Sequence, residues 1–332
     1  MFEKRILLDP LKYPWAWSFH EVQSSVFWLP EEVSLDLDLV DYKQLTEYEK
    51  GVVNRILGAF TKMDEEVGAV YVNLYLPHFQ AIEIRMMLLS FANMETIHVK
   101  AYRSLPIALG IYDNHSFEKE FMEYKEIQDK YEYMQNFKDA SYEDIAINLA
   151  VVSGFIEGVV LFGSFAILLY FSKRRPELGL RSLLKGVGQI VAFSIRDESI
   201  HCQGVITLYK QYLKELKELK ISIDLEYIHK RILEEGELII ENEMKFIDFC
   251  FQNGDLQGLT KEEIKEYIRY IFNRRLIDLG LEPKFSIKDN PLPWVDAAIG
   301  VEIRNFFTGV ATNYQKVTES SVSSWDDVSY DI

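Results

Sequence analysis

Apolar positions recur along this chain at spacings of three and four, the period of one helix face, and do not settle into the alternation of half-buried strands. The pattern predicts an all-α fold. Thr46-Glu-Tyr-Glu49 is a capping box, in which a hydroxyl and a carboxylate satisfy the first free amides of a helix. It predicts a helix through Asp64 toward Tyr75, closed by Pro77. The next helix carries Glu95 and His98 and meets Pro106. A charged amphipathic segment follows over 117–137, and Ser141 then opens a long apolar helix ending near Lys173-Arg-Arg-Pro176. After Gly179 the chain re-enters helix through Glu198 and His201 to about Leu219. Further helices are expected from about Asp224 to Asn253 and, from the capping box Thr260-Lys-Glu-Glu263, to Leu279. Asn290-Pro-Leu-Pro-Trp294 is a stiff turn before a last helix.

A length of 332 residues allows two average domains, but no linker rich in Pro, Gly and Ser divides the chain before its last turns. One helical domain over 1–317 is expected, with a Ser-rich, acidic tail over 318–332 that has too few apolar residues to pack. The net charge is −16, from 36 basic and 52 acidic residues, and no Lys/Arg-rich block interrupts it, which argues against a nucleic-acid partner. Two cysteines, Cys202 and Cys250, are too few for a disulfide framework, and the first residues do not lead into an apolar signal core, so a cytoplasmic location is expected. The nearly uncharged stretch Ile145 to Ser172 contains Glu157 and reads as a buried core helix, not a membrane span.

Chemistry is carried by Glu95-Thr-Ile-His98 and Glu198-Ser-Ile-His201. A three-residue step on a helix leaves two side chains about 60° apart on one face, both able to reach one ion. Glu157 is the only charge between Asp144 and Lys173, among Ser153, Gly154, Val160, Leu161, Ser164 and Phe165. A carboxylate in such surroundings must be protonated, paired or metal-bound, because desolvating a bare charge costs many kcal/mol. Asp64 is the natural fourth acid, on a helix face with Phe60, Val67 and Tyr71; Glu65 and Glu66 beside it are alternatives that helix geometry leaves open. With Asp64 the set is four carboxylates and two imidazoles, whose charge two divalent ions would cancel. Oxygen and imidazole donors in this mixture suit iron or manganese better than zinc. A third motif, Glu226-Tyr-Ile-His229, lies among charged residues and reads as a solvated face, with Glu226 able to pair with Lys230. Tyr102 follows His98 by one turn on the same stripe, about 6 Å along the axis.

Assembled in this way, the chain resembles the small, radical-generating subunit of class I ribonucleotide reductase from about Val26 to its end. The resemblance rests on Met94-Glu-Thr-Ile-His98 with Tyr102, on Phe155-Ile-Glu157-Gly with Gly163-Ser-Phe165, and on Arg196-Asp-Glu198-Ser-Ile-His201. It implies a ferritin-like helical bundle with additional helices and a flexible tail, working as a homodimer. In that family the first acid lies 31 residues before the Glu of the first Glu-x-x-His, which implies Asp64. The implied metal ligands are Asp64, Glu95, His98, Glu157, Glu198 and His201. Two ions per chain are implied, iron foremost, with Mn/Fe or Mn/Mn as alternatives. O2 would activate the centre, Tyr102 would carry the radical, and Trp28 would supply an electron through Asp197 to His98. A tail tyrosine relays the radical in the family, which implies Tyr330, with Trp325 as a competitor. The partner implied is the large subunit, where ribonucleotides are reduced to deoxyribonucleotides. Leu161, where an aromatic residue is common, and a long stretch between Glu157 and Glu198 depart from the pattern without removing a ligand. Two rivals are a stand-alone ferritin-like dimetal oxidase acting on a small organic substrate, against which the acidic tail speaks, and an iron store, for which the chain is too long.

Overall fold

The computed structural model describes residues 1–111, 123–126, 128, 139–173 and 178–297, except for the side chains of 61–64. Its helices are α1 (Pro14–Ser25), α2 (Asp36–Gln44), α3 (Glu47–Ala69), α4 (Ile82–Ala108), α5 (Tyr142–Ser172), α6 (Lys185–Glu218), α7 (Leu225–Cys250) and α8 (Lys261–Leu279). No strand forms among the described residues, apart from an isolated bridge between Leu256 and Leu259. The all-α expectation therefore holds, and its long helices fall where the apolar period placed them.

Local chemistry sets the helix starts. The Thr46 hydroxyl accepts from the Glu49 amide at 3.2 Å, and the Glu49 carboxylate accepts from the Thr46 amide at 2.7 Å. Ser141 with Asp144 and Thr260 with Glu263 repeat the device at α5 and α8. α8 ends at Gly280, whose φ of 83° lies in the left-handed region that glycine occupies without a Cβ penalty. Two boundaries and two short helices differ from expectation. α4 continues past Pro106 to Ala108, because a proline this near the end costs only the last turn its hydrogen bond. α7 stops at Cys250. α1 and α2 carry no continuous apolar stripe: α1 buries only Ala16 and Gln23, and α2 only Asp38 and Tyr42, so neither announces itself by period.

The long apolar helix α5 has a mean hydropathy of 2.1 over its most apolar window, which is buried throughout, as in a core helix. It packs along α6 and α8, while α3 lies along α4 and α1 covers α4 and α6. Two stretches are wound more widely, as π-helix: Val70–Tyr75 continues α3, and Val152–Val160 forms the middle of α5. Such segments are rare and concentrate at functional sites. Here each carries a side chain of the centre described below.

The start of α6 is held from outside. Its cap residue Leu184 is buried and left-handed, with φ 52° and ψ 47°, a conformation that costs a residue with a side chain about 1–2 kcal/mol. Asp38 on α2 accepts from the amides of Gly186 at 3.1 Å and Val187 at 2.8 Å, and Asp41 accepts from Leu184 at 3.1 Å. These carboxylates occupy the positive end of the helix dipole and replace the missing side-chain cap. A Cβ on Gly186 would stand 2.6 Å from the Ser34 carbonyl oxygen, so only glycine fits that approach.

Candidate metal centre

Three helices bring five of the expected ligands together. α4 supplies Glu95 and His98, α5 supplies Glu157 from its π-helical middle, and α6 supplies Glu198 and His201; all five are buried. Donor atoms of Glu95, Glu157, Glu198 and His201 lie within 4.8 Å of one another. Glu95 reaches both imidazoles, Oε2 at 3.4 Å from His98 Nδ1 and Oε1 at 2.9 Å from His201 Nδ1. Glu198 does the same from the next helix, Oε1 at 3.1 Å from His98 Nδ1 and Oε2 at 3.7 Å from His201 Nδ1. Two carboxylates thus span two imidazoles whose rings are 6.3 Å apart.

These approaches are short, yet they lack hydrogen-bond direction. Both oxygens of Glu95 and of Glu198, Oε2 of Glu157, and Nδ1 of both histidines are buried without a hydrogen-bond partner. Orphaned polar atoms cost about 1–3 kcal/mol each, and a cluster of them with lone pairs facing one point fits a cation better than any internal pairing. The donor set, carboxylate oxygen with imidazole nitrogen, fits iron or manganese.

Protons compete for the same positions. Burial pushes the Glu157 carboxyl up to about 8, with His201 working against the rise and Glu198 and Glu95 adding to it. Burial also opposes the charged forms of Glu95 and His201, but their mutual attraction wins: Glu95 is held at about 2 by His98 and His201, and His201 is raised to about 10 by Glu198 and Glu95.

His98 is held from behind. Its Nε2 faces Asp197 Oδ2 at 3.2 Å, so Nε2 carries the proton and Nδ1 is left for the cluster. Trp28, 2% exposed, donates from Nε1 to the same Oδ2 at 2.8 Å, and its ring lies 6.2 Å from that of His98. The other oxygen of Asp197 accepts from Arg196 Nε at 3.2 Å and Nη2 at 3.1 Å, and from Gln23 Nε2 at 3.3 Å. Against the cost of burial, His98, Arg196 and Trp28 together hold Asp197 below the usual carboxylate range. Tyr102 is buried one turn beyond His98, its ring 4.7 Å from Phe60, which lies 5.3 Å from Phe165.

The side chain of Asp64 lies outside the described residues, as do Tyr330 and Trp325 and the boundary at 317. Of the acids beside Asp64, Glu65 is exposed and Glu66 half-buried. Gly68, one turn on, brings α3 close to the centre: a Cβ there would stand 3.3 Å from Glu95 Cβ. The third motif is solvated as expected, with Glu226 exposed, although Lys230 pairs with Glu234 at 3.8 Å and not with Glu226. Most of the segment 117–137 also lies outside the described residues.

Three contributors escape the sequence pattern. Gln23 carries no local signal. Arg196 neighbours Asp197 in the motif itself, and a buried basic residue beside a buried acid was the available hint. Tyr71 donates its hydroxyl to Glu157 Oε1, and its place seven residues past Asp64 on one stripe was the signal.

Carboxylates and imidazoles gathered from three helices of an all-helical bundle define a ferritin-like protein with a buried cluster able to hold metal. Within that class the sequence profile of the ribonucleotide reductase small chain matches residues 5–291, and the chain belongs to that family. A probable ribonucleoside-diphosphate reductase small subunit of Invertebrate iridescent virus 3 is 34% identical, over 97% of this chain and 87% of the viral one. Among solved structures, the R2 subunit from Clostridium botulinum superposes with a TM-score of 0.75 at 21% identity, covering 87% of this chain and 89% of that one. The dimanganese(II)-NrdF of Streptococcus sanguinis gives 0.69 at 22% identity, covering 90% and 100%. Both structures bear on the fold. Family membership makes the chain the small subunit of an oxidoreductase, ribonucleoside-diphosphate reductase, which acts with a large subunit. The relatives lend no support to a stand-alone oxidase.

Proposed function

We propose that this small subunit holds two metal ions between Asp64, Glu95, His98, Glu157, Glu198 and His201 and generates a radical on Tyr102 for its large subunit. The observation that carries this reading is the convergence of two Glu-x-x-His pairs and Glu157 on one buried point, with their donor atoms lacking hydrogen-bond partners. The exposure of Glu65 and the approach of α3 at Gly68 support Asp64 as the remaining ligand. Iron is the first choice and manganese, alone or with iron, the alternative, since the same donors accept each. When bound, the ions supply O2 activation and an oxidant for the nearby phenol.

The chain's own residues do the rest. Glu95 and Glu198 each place their two oxygens between the imidazoles of His98 and His201, where they would hold the ions, and Asp197 fixes the His98 tautomer so that Nδ1 faces them. Trp28 shares an Asp197 oxygen with His98, which gives an electron a hydrogen-bonded route from the indole to the centre. Phe60 and its neighbours keep water from Tyr102, extending the life of a radical there. Tyr330, or Trp325, in the 318–332 tail relays that radical to the large subunit, where nucleotide is bound and reduced. A homodimer in the cytoplasm fits this reading; Cys202 and Cys250 are both free thiols.

Loading the full-length protein anaerobically with Fe(II) and then admitting O2 should produce a tyrosyl radical in the electron paramagnetic resonance spectrum. The signal should vanish in Tyr102→Phe with the metal retained. A radical that persists in that variant would place it on another tyrosine.

A further inference from the structure

Tyr71 touches two members of the cluster at once. It is 0% exposed in the π-helical continuation of α3, its hydroxyl donates to Glu157 Oε1, and its ring stands edge-on to the His201 imidazole at 6.0 Å. The oxygen it holds is the one that faces His201, 3.9 Å from Nδ1. Glu95 and Glu198 receive no such hydrogen bond: both oxygens of each are without a hydrogen-bond partner. Among the described carboxylates of this cluster, Glu157 is therefore the one tethered through its own head group.

The tether matters because of where Glu157 sits. A glutamate has several rotatable bonds, and fixing such a side chain costs conformational entropy. Two facing segments, both π-helical, present the two partners: Val70–Tyr75 presents the phenol, and Val152–Val160 presents the carboxylate. Phe91 walls the phenol from the other side, its ring 6.0 Å from that of Tyr71 and 4.5 Å from that of His201.

We propose that Tyr71 is a positioning residue of the metal centre. Its hydroxyl anchors Oε1 of Glu157 at the cluster; one lone pair of that oxygen is committed to the phenol, and the other, with Oε2, is left for an ion. The inference rests on Glu157 being a metal ligand. Tyr75 provides an internal control, since it lies one turn along the same helix with its ring 5.8 Å from Tyr71, yet its hydroxyl donates to the Asn148 carbonyl at 3.0 Å and not to the cluster.

The test is anaerobic titration of the full-length protein with Mn(II), following the free ion by electron paramagnetic resonance, in wild type, Tyr71→Phe, Tyr75→Phe, Glu157→Gln and the Tyr71→Phe/Glu157→Gln double variant. Tyr71→Phe should bind one of the ions about 10- to 100-fold more weakly, the usual effect of losing a hydrogen-bond partner of a ligand, with circular dichroism unchanged. Tyr75→Phe should stay within roughly twofold of wild type, and Tyr71→Phe should add almost nothing once Glu157 is Gln. Wild-type affinity in Tyr71→Phe, an equal loss in Tyr75→Phe, or fully additive losses would overturn the proposal. Glu157→Gln binding both ions like wild type would instead sink the ligand assignment beneath it. Infrared spectra of the metal-loaded wild type add a check that needs no folded Tyr71 variant. The Glu157 carboxylate band, identified by its loss in Glu157→Gln, should shift after exchange into D2O, and an unshifted band would refute the phenol contact.

Discussion

Asp197 accepts from Trp28, His98, Arg196 and Gln23 inside the core, where an unpaired charge is most costly. Its removal would leave Arg196, 7% exposed, without its carboxylate, and would free His98 to turn. Asp197→Ala should therefore lower unfolding stability by about 3–5 kcal/mol, the usual cost of breaking a buried pair from one side. Asp197→Asn should cost less, because it keeps an acceptor for the indole. Denaturant titration of the two variants checks the order, and equal stabilities would show that the retained acceptor contributes nothing. The five residues that the structure brings together, Glu95, His98, Glu157, Glu198 and His201, were legible in sequence as polar residues in apolar runs, whereas Asp64, between Met63 and two further acids, rested on the family resemblance. Gln23 was not, since its partner lies 174 residues away and only the fold brings it near, and the stripe that placed Tyr71 beside Asp64 did not reveal its bond to Glu157, 86 residues away.

The helices read well where the instruction is local. The capping boxes at Thr46, Ser141 and Thr260 occupy four residues each, and the structure forms all three. What resisted reading is tertiary. The π-helical winding of Val70–Tyr75 and Val152–Val160 has no fixed sequence mark, and the start of α6 is capped by a carboxylate from α2. Asp38 is held above the usual carboxylate range, chiefly by burial, with the Val187 and Gly186 amides working against it. Asp38→Ala should destabilise the protein by about 1–3 kcal/mol, the cost of losing a cap and leaving buried amides unpaired. Thermal unfolding against an exposed control such as Asp36→Ala measures it. α6 carries Glu198 and His201, so the same variant should also bind metal more weakly; an undisturbed melting temperature would show that α6 does not depend on its foreign cap.

At the scale of the whole molecule, the centre links stability to pH. Without metal, Glu157 titrates near 8 against an ordinary 4.5, and His201 near 10 against 6.5, so the folded chain holds protons that the unfolded chain would release. Their stabilisation is complete below the unfolded values and fades as pH rises through the folded ones. The metal-free protein should therefore lose stability between about pH 5 and pH 8 through Glu157, and further toward pH 10 through His201. Ions take the place of those protons, so the gain in melting temperature on loading should widen over the same range. Calorimetry with and without Mn(II) decides it, and a gain that is constant with pH would contradict the competition.

The most direct measurement is the metal content of the full-length protein, loaded anaerobically with Fe(II) or Mn(II), freed of excess ion and analysed by mass spectrometry. Wild type should hold about two ions per chain. Glu157→Ala should hold fewer, and Glu226→Ala, which alters the solvated third motif, should match wild type. Wild type retaining no metal, or Glu157→Ala retaining the full complement, would contradict a dimetal centre built on these residues.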